Sequence, residues 1–404
     1  MALLHHYICH VSHATSCHSL MQHDDCQLII PMALENSALL SATMALSAIH
    51  RKSLTPEGLD GYDADKLIAG LKATSLHRLR RELDGAEDGN TNSLIATIRT
   101  LCLCEIYAGG DRPGTWRAHF EGARALIIAF KSGNNPARSD HDGSAPFLRR
   151  WFGVTEDMVA LTADALPEST FDECADFDFP TVGTSTDPVY LDEYTGCSTD
   201  LSPLLWRVGA AARQRHRASD ITHGWEAFRE NDIARQADIL EHSLQHMIDR
   251  DKFQPPKFHS RVANSLSAQQ GRDFYLCNEA YQHTASIHIA RRVRNSPACS
   301  PTIQSSVKRI LQCISSIKFA SPSPLAVLTT PLFTAGCEAL GADRDLVRQL
   351  LREMFELMRI PNIRRSSEVL EEYWASAQCK QDKGWECFMR MALTSRRIHA
   401  GSHY

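Results

Sequence analysis

The chain has 404 residues, 43 Lys plus Arg against 48 Asp plus Glu, and a formal net charge of −5. With 43% hydrophobic and 23% charged residues it reads as a globular chain, not a collagen, a mucin-like stalk or a wholly disordered polymer. Mild acidity disfavours a bare nucleic-acid binder, because neutralising phosphates needs clustered excess Lys and Arg.

Met1-Ala-Leu-Leu runs straight into His5-His6 with no basic or sustained apolar leader, and no apolar run approaches membrane-spanning length. A soluble, intracellular chain is the expectation. The first 30 residues hold His5, His6, His10, His13, His18 and His23 with Cys9, Cys17 and Cys26. Imidazoles and thiolates bind zinc, and His6 and His10 stand one helical turn apart. No second pairing downstream is read as completing four ligands, so the expectation is a His-rich helical start and no metal. Asp24-Asp25 lacks the third carboxylate of a diphosphate-binding magnesium motif.

Leu39 to Ile49 is rich in small residues, and Ala42, Ala45 and Ala48 allow close helix approach. Asn92 to Ala108 predicts a helix stopped by Gly109-Gly110, and Thr115 to Phe130 the next, capped by Thr115. Trp116, Phe120, Ala123, Ile127 and Phe130 would share one face, with Gly122 and Ala123 permitting tight packing. Ser132 to Pro146 reads as loop. Pro167 to Asp200 carries nine acidic residues and no Lys or Arg, and reads as a long solvated loop.

Trp225, Phe228, Ala237, Leu240, Leu244 and Met247 trace a further helix face. Ile303, Val307, Ile310, Ile314 and Ile317 form another at spacings of four and three. Pro331 would kink a helix or mark its boundary, and Gly336 allows close approach after it. Leu346, Leu350, Met354 and Leu357, flanked by Val347, Leu351, Phe355 and Met358, predict a helix buried from two sides, with Asp343 as N-cap. The expected architecture is all-α: stacked antiparallel helix hairpins with a long acidic loop, in a single helical domain over 1–404. Within it, 1–130 forms N-terminal helices, 131–223 a loop-rich middle with one or two helices, and 224–404 C-terminal helices.

Thirteen irregularly spaced cysteines include no Cys-x-x-Cys, the nearest pair being Cys102-x-Cys104. With Cys313 and Cys337 they read as small buried hydrophobes in a reducing compartment. Nucleophile elbows, phosphate loops and metalloprotease helices are missing. His50, His119 and His288 fall on apolar helix faces and read as core or boundary histidines. The basic clusters His77–Arg81, Arg213–Arg217 and Arg291–Arg294 read as solvent faces of amphipathic helices, phosphate contact or nuclear import being the sharper alternatives. No catalytic, cofactor-binding, metal-binding or DNA-binding residue is assigned.

Several segments in order resemble the fungal-specific transcription factor domain, the helical regulatory region of fungal zinc-cluster transcription factors. They are Leu3-Leu-His-His-Tyr7, Ile30-Pro-Met-Ala-Leu34 with Leu39 to His50, and Trp116-Arg-Ala-His-Phe-Glu-Gly-Ala123 with Leu126-Ile127. Gly196-Cys-Ser-Thr-Asp-Leu-Ser-Pro-Leu-Leu205 and Pro331-Leu-Phe-Thr-Ala-Gly-Cys-Glu-Ala339 follow, then Arg344, Asn362 and Trp374. The resemblance implies a nuclear, non-enzymatic transcriptional regulator of a metabolic or secondary-metabolite gene set. It implies partners in the transcription machinery or among other regulators, with homodimerisation as one arrangement. The six-cysteine zinc module of such regulators has no counterpart in these residues, so DNA contact is expected only through such a module upstream. A cluster-less interaction scaffold is the alternative reading, and an α-helical enzyme a remoter one.

Overall fold

The computed structural model describes residues 2–54, 63–84, 91–109, 118–125, 148, 151–153, 155, 161, 188–220, 226–320, 322–380, 382, 384–385 and 388, with main chain only at 217–220, 226–229, 378 and 380. The fold is all-α. Among the described residues the only β pairing is two isolated bridges, Tyr190 with Lys257 and Leu191 with Ser198. The chain forms two compact units. One comprises Met1–Thr155, Ala320–Pro322 and Met354–Arg365; the other comprises Glu156–Phe319, Ser323–Glu353 and Ser366–Tyr404.

The first unit opens with α1 (Ala2–His6), a π-helical turn (Tyr7–Val11) and a further turn, Ser12–Ala14. Then come α2 (Ser19–Glu35), α3 (Ser37–Leu54), α4 (Ala64–Asp84) and α5 (Thr91–Ala108). Asn36 both ends α2 and starts α3: its N–H donates to Met32 O, and its Oδ1 accepts from Leu39 N at 2.9 Å. Its Nδ2 donates to Glu82 on α4, fixing the neighbouring helix to this junction.

α3 is buried almost all round, and its small residues explain how. Ala38, Ala42, Ala45 and Ala48 are fully buried. With only methyl groups between them, donors from neighbouring helices reach the α3 main chain: Ser75 Oγ bonds Ala38 O at 2.8 Å, and Cys104 Sγ reaches Ala42 O at 3.6 Å. α4 and α5 both pack on α3. α5 stops where the glycines predict: Gly109 has φ +63° and its N–H bonds Ile106 O. A Cβ there would also lie 3.3 Å from Asn362 Cα, so this stop closes against residues 354–365.

The second unit holds α6 (Leu201–Asp220), α7 (Glu226–Phe253), α8 (Ala268–His288) and a second π-helical turn (Ile289–Val293). α9 (Pro301–Ser316), α10 (Thr329–Glu338), α11 (Ala342–Met358) and α12 (Pro361–Ala375) follow, residues 354–358 of α11 and 361–365 of α12 belonging to the first unit. α8 starts with a capping box, Ser267 and Gln270 each bonding the other's main-chain N–H. α9 has Ser300 as N-cap and Pro301 in its first turn, and the predicted stripe Ile303, Val307, Ile310, Ile314 and Ile317 is buried throughout. α8 packs on α9, and α6 on α7. On α7, Ala237, Leu240, Leu244 and Met247 are buried with Ile233, while the side chains of Trp225 and Phe228 lie outside the described residues.

Two local expectations change, and Pro331 takes the second of its two predicted roles. Pro331 marks a boundary: it sits in the first turn of α10, where main-chain N–H groups have no intrahelical acceptor anyway. Asp343 lies inside the first turn of α11 with Asp345, not at its N-cap. Val347, Leu350, Leu351, Met354 and Met358 bury one face of α11, whereas Leu346, Phe355 and Leu357 are half-buried, so burial is one-sided.

Candidate functional site

In the first unit the His-rich start is drawn into the interior. His50 on α3 has Nε2 3.0 Å from Met358 O and Nδ1 3.0 Å from Nε2 of His6. One tautomer serves both contacts: His50 Nε2–H donates to the carbonyl, and its Nδ1 accepts from His6 Nε2–H. His10 lies beside His6, ring centroids 4.7 Å apart. Burial, then the nearby His50 and His10 rings, pulls the His6 imidazole down to about 4, and burial lowers His50 despite its carbonyl bond. Among the described residues no group of three or more His, Cys, Asp or Glu side chains is placed to hold a metal ion.

Asp25 of the Asp24-Asp25 pair is already committed. It is buried, accepts from Tyr7 Oη at 2.5 Å and pairs with Arg99 at 3.0 Å. Trp151 lies under the Arg99 guanidinium, 5.5 Å from its centre. A carboxylate spent this way is not poised to bridge a diphosphate. The predicted buried thiols are buried, and burial pushes Cys102 and Cys313 up to about 12 and raises Cys104 and Cys337 as well.

The Trp116–Ala123 motif is described from 118 on, helical over 118–125; Thr115, Trp116, Leu126, Ile127, Phe130 and the 132–146 segment lie outside the described residues. Phe120 and Ala123 are buried, with the Phe152 ring 6.2 Å from that of Phe120. Gly122 departs from expectation. It faces outward, and no atom lies within 4 Å of where its Cβ would stand. The close-packed glycine is Gly336, whose Cβ would stand 2.6 Å from Leu370 Cδ1 and 3.1 Å from Val347 Cγ1. Trp374 Nε1–H donates to Gly336 O at 2.9 Å, and the Arg344 and Arg348 guanidinium groups lie 5.3 and 4.7 Å from the Trp374 ring centre. Arg344 and Trp374 of the C-terminal motif thus meet around Gly336, whereas Asn362 lies against Gly109 in the first unit.

The acid-rich stretch also departs from expectation. Residues 167–187 lie outside the described residues, but 188–200 is a packed turn, with Leu191, Cys197 and Ser198 buried. Asp192 Oδ1 accepts from Tyr194 N at 2.7 Å, and Gly196 has φ +69° directly over Cys277 Sγ. Ser198 N donates to Asn278 Oδ1, and Asn278 Nδ2 and Gln282 Nε2 both donate to Asp251. Arg250 bridges Asp251 and Asp200. Here the acids are acceptors and counter-charges in a polar lock on α8.

Of the basic clusters, His77, Arg78, Arg80 and Arg81 are exposed on α4, as a solvent face should be. Arg213 and Arg215 are half-buried, Arg215 binding Glu230 and Val293 O, and Arg217 has no described side chain. Arg291–Arg294 is not a solvent face. Arg291 is buried on the π-helical turn and pairs with Glu338 and Asp382. Arg292 is buried too, donating to Leu161 O at 2.6 Å and to His288 Nδ1 at 3.2 Å. Burial, then Arg292, drives the His288 imidazole well below its ordinary range. Arg294 chelates Glu241 and reaches Asp238. His119 is half-buried, and burial lowers it as well.

The sequence reading passes over His242 and His246, four apart on α7 and both exposed, although their spacing is the one that singles out His6 and His10. Among the described residues no helix is long and apolar enough to cross a membrane. No curated protein and no solved structure matches the chain. Residues 2–395 do match a family, and over that span the chain belongs to the family described as the fungal specific transcription factor domain, the domain of fungal transcriptional regulators.

Proposed function

We propose that the chain works in the nucleus as the helical regulatory part of a fungal transcriptional regulator, acting by protein contact on the transcription machinery and governing a metabolic gene set. The observation that carries this reading is the family match over 2–395, together with the use of the motif residues. Phe120, Gly336 and Trp374 are occupied by packing, and Asp25 by an ion pair. Such a scaffold suits a domain whose output is which partner it presents, and the acid-rich 167–187 segment, free of Lys and Arg, is the stretch to test as a contact surface. The deletion should spare 188–200, because Asp200, Ser198 and Leu191 belong to the packed turn.

The test joins the full chain to an unrelated DNA-binding domain and reads a reporter carrying that domain's site. Reporter output departing from the DNA-binding domain alone, and reverting when 167–187 is removed, supports the reading. Output unchanged by the full chain, in the presence of nuclear fusion protein, overturns it. Loss of the gene in its host should shift transcripts of a metabolic set together; an unaltered transcriptome counts against that part.

A further inference from the structure

We propose that His242 and His246 form a surface site for one divalent transition-metal ion, of the zinc, nickel or copper kind, on the outer face of α7. Residues four apart on a helix are neighbours, with Cβ atoms about 5–6 Å apart. Two imidazoles so placed can close on one ion, the arrangement that metal-binding helices use. The helix register sets the direction here: Ile233, Ala237, Leu240, Leu244 and Met247 are buried, so His242 and His246 fall on the opposite side and both are exposed. Among the described residues neither ring has a hydrogen-bond or ion-pair partner, which leaves their nitrogens available.

The surroundings fix the coordination number. A cavity of about 440 Å³ opens beside His242, lined also by Asp238, Glu241, Gln245, Ser286 and Thr302. Asp238 and Glu241 both pair with Arg294, each at 2.5 Å, which holds the two carboxylates in place and leaves one net negative charge beside His242. Asp249 is held by Lys252 at 2.8 Å. With no third protein ligand in place among the described residues, two positions of a tetrahedral shell fall to water or to a group brought by a partner. This is an exchangeable site, distinct from a closed structural zinc.

A second exposed pair could compete: Cys9 Sγ lies 3.6 Å from His5 Nε2, also four residues apart. The experiment therefore uses the full chain carrying His5→Gln and Cys9→Ser, stripped of metal and titrated with Zn²⁺ at pH 7.5. Bound ion is counted by equilibrium dialysis, with Cu²⁺ electron paramagnetic resonance in parallel. His242→Gln and His246→Gln should each remove one equivalent, and the copper spectrum should lose the hyperfine pattern of two imidazole nitrogens. His246→Cys should restore zinc binding, since a thiolate can replace the imidazole. Circular dichroism and metal-free melting should match the parent, as expected at exposed positions. Equal zinc equivalents in the parent and the double variant overturn the site, as does loss on only one of the two substitutions.

Discussion

Two glycines in motifs of the same family respond oppositely to one added methyl group. In Gly336→Ala the new Cβ would stand 2.6 Å from Leu370 Cδ1, 3.1 Å from Val347 Cγ1 and 3.2 Å from Leu370 Cδ2. Carbon atoms rest about 3.5–4.0 Å apart, so the Leu370 methyl must retreat by about 1 Å. Leu370 and Val347 are both fully buried, leaving them no solvent to move into. Such overpacking costs about 1–3 kcal/mol, against a gain of up to about 1 kcal/mol for Ala over Gly in a helix. With the helical gain at about 1 kcal/mol, the net is a loss of up to about 2 kcal/mol, before any strain on the Trp374 bond to Gly336 O. Gly122 lies on helix 118–125 with open space around it, so Gly122→Ala keeps the helical gain of about 0.5–1 kcal/mol. Because the chain has two compact units, one global fit is not assumed; urea unfolding should be followed by hydrogen exchange on peptides from each unit. Gly336→Ala should lower protection in the second unit, and Gly122→Ala should raise the midpoint of the first. An unchanged Gly336→Ala protein, or a weakened Gly122→Ala protein, would refute the steric reasoning.

Two further outcomes follow from buried charge. Asp25→Ala and Arg99→Ala should each cost about 3–5 kcal/mol, since each strands the other charge in the interior, while the double variant should lose clearly less than the sum; additive losses in a double-mutant cycle would show that the pair is not coupled. His6, His50 and His288 are held neutral, with folded values below the ordinary 6.5, so the unfolded chain takes up more protons and stability falls as pH drops below about 6.5. For His6, at about 4, the loss accrues down to that value, and His6→Gln should flatten the slope of stability between pH 6.5 and 4; an unchanged slope would contradict the assignment.

Much of the helical frame is legible in the sequence because its causes are local. The α9 stripe, the Gly109 stop and the small-residue face of α3 follow from spacing and residue size alone. What escapes is partnership across the chain. Asp24-Asp25 reads only as an incomplete magnesium motif, and nothing near it in sequence announces Arg99, 74 positions on. Arg291 looks solvent-facing until Glu338 and Asp382, 47 and 91 positions away, supply the carboxylates. Gly122 and Gly336 are the same residue in helical settings, and only Leu370 and Val347 tell them apart. The acid at 200 looks solvated because no nearby residue in sequence announces Arg250, and the turn before it looks open because none announces Asn278. The His242–His246 pair is the reverse case: local, readable, and masked by the richer histidine run at the start of the chain.

The π-helical turn at 289–293 has a consequence for how this molecule can be read by others. Arg-Arg-Val-Arg looks like an address label, yet two of its guanidinium groups are bolted inside the second unit. A carrier or a polyanion that recognises those letters would have to meet the polypeptide before it folds or after it comes apart. The folded protein does not display these letters as a label.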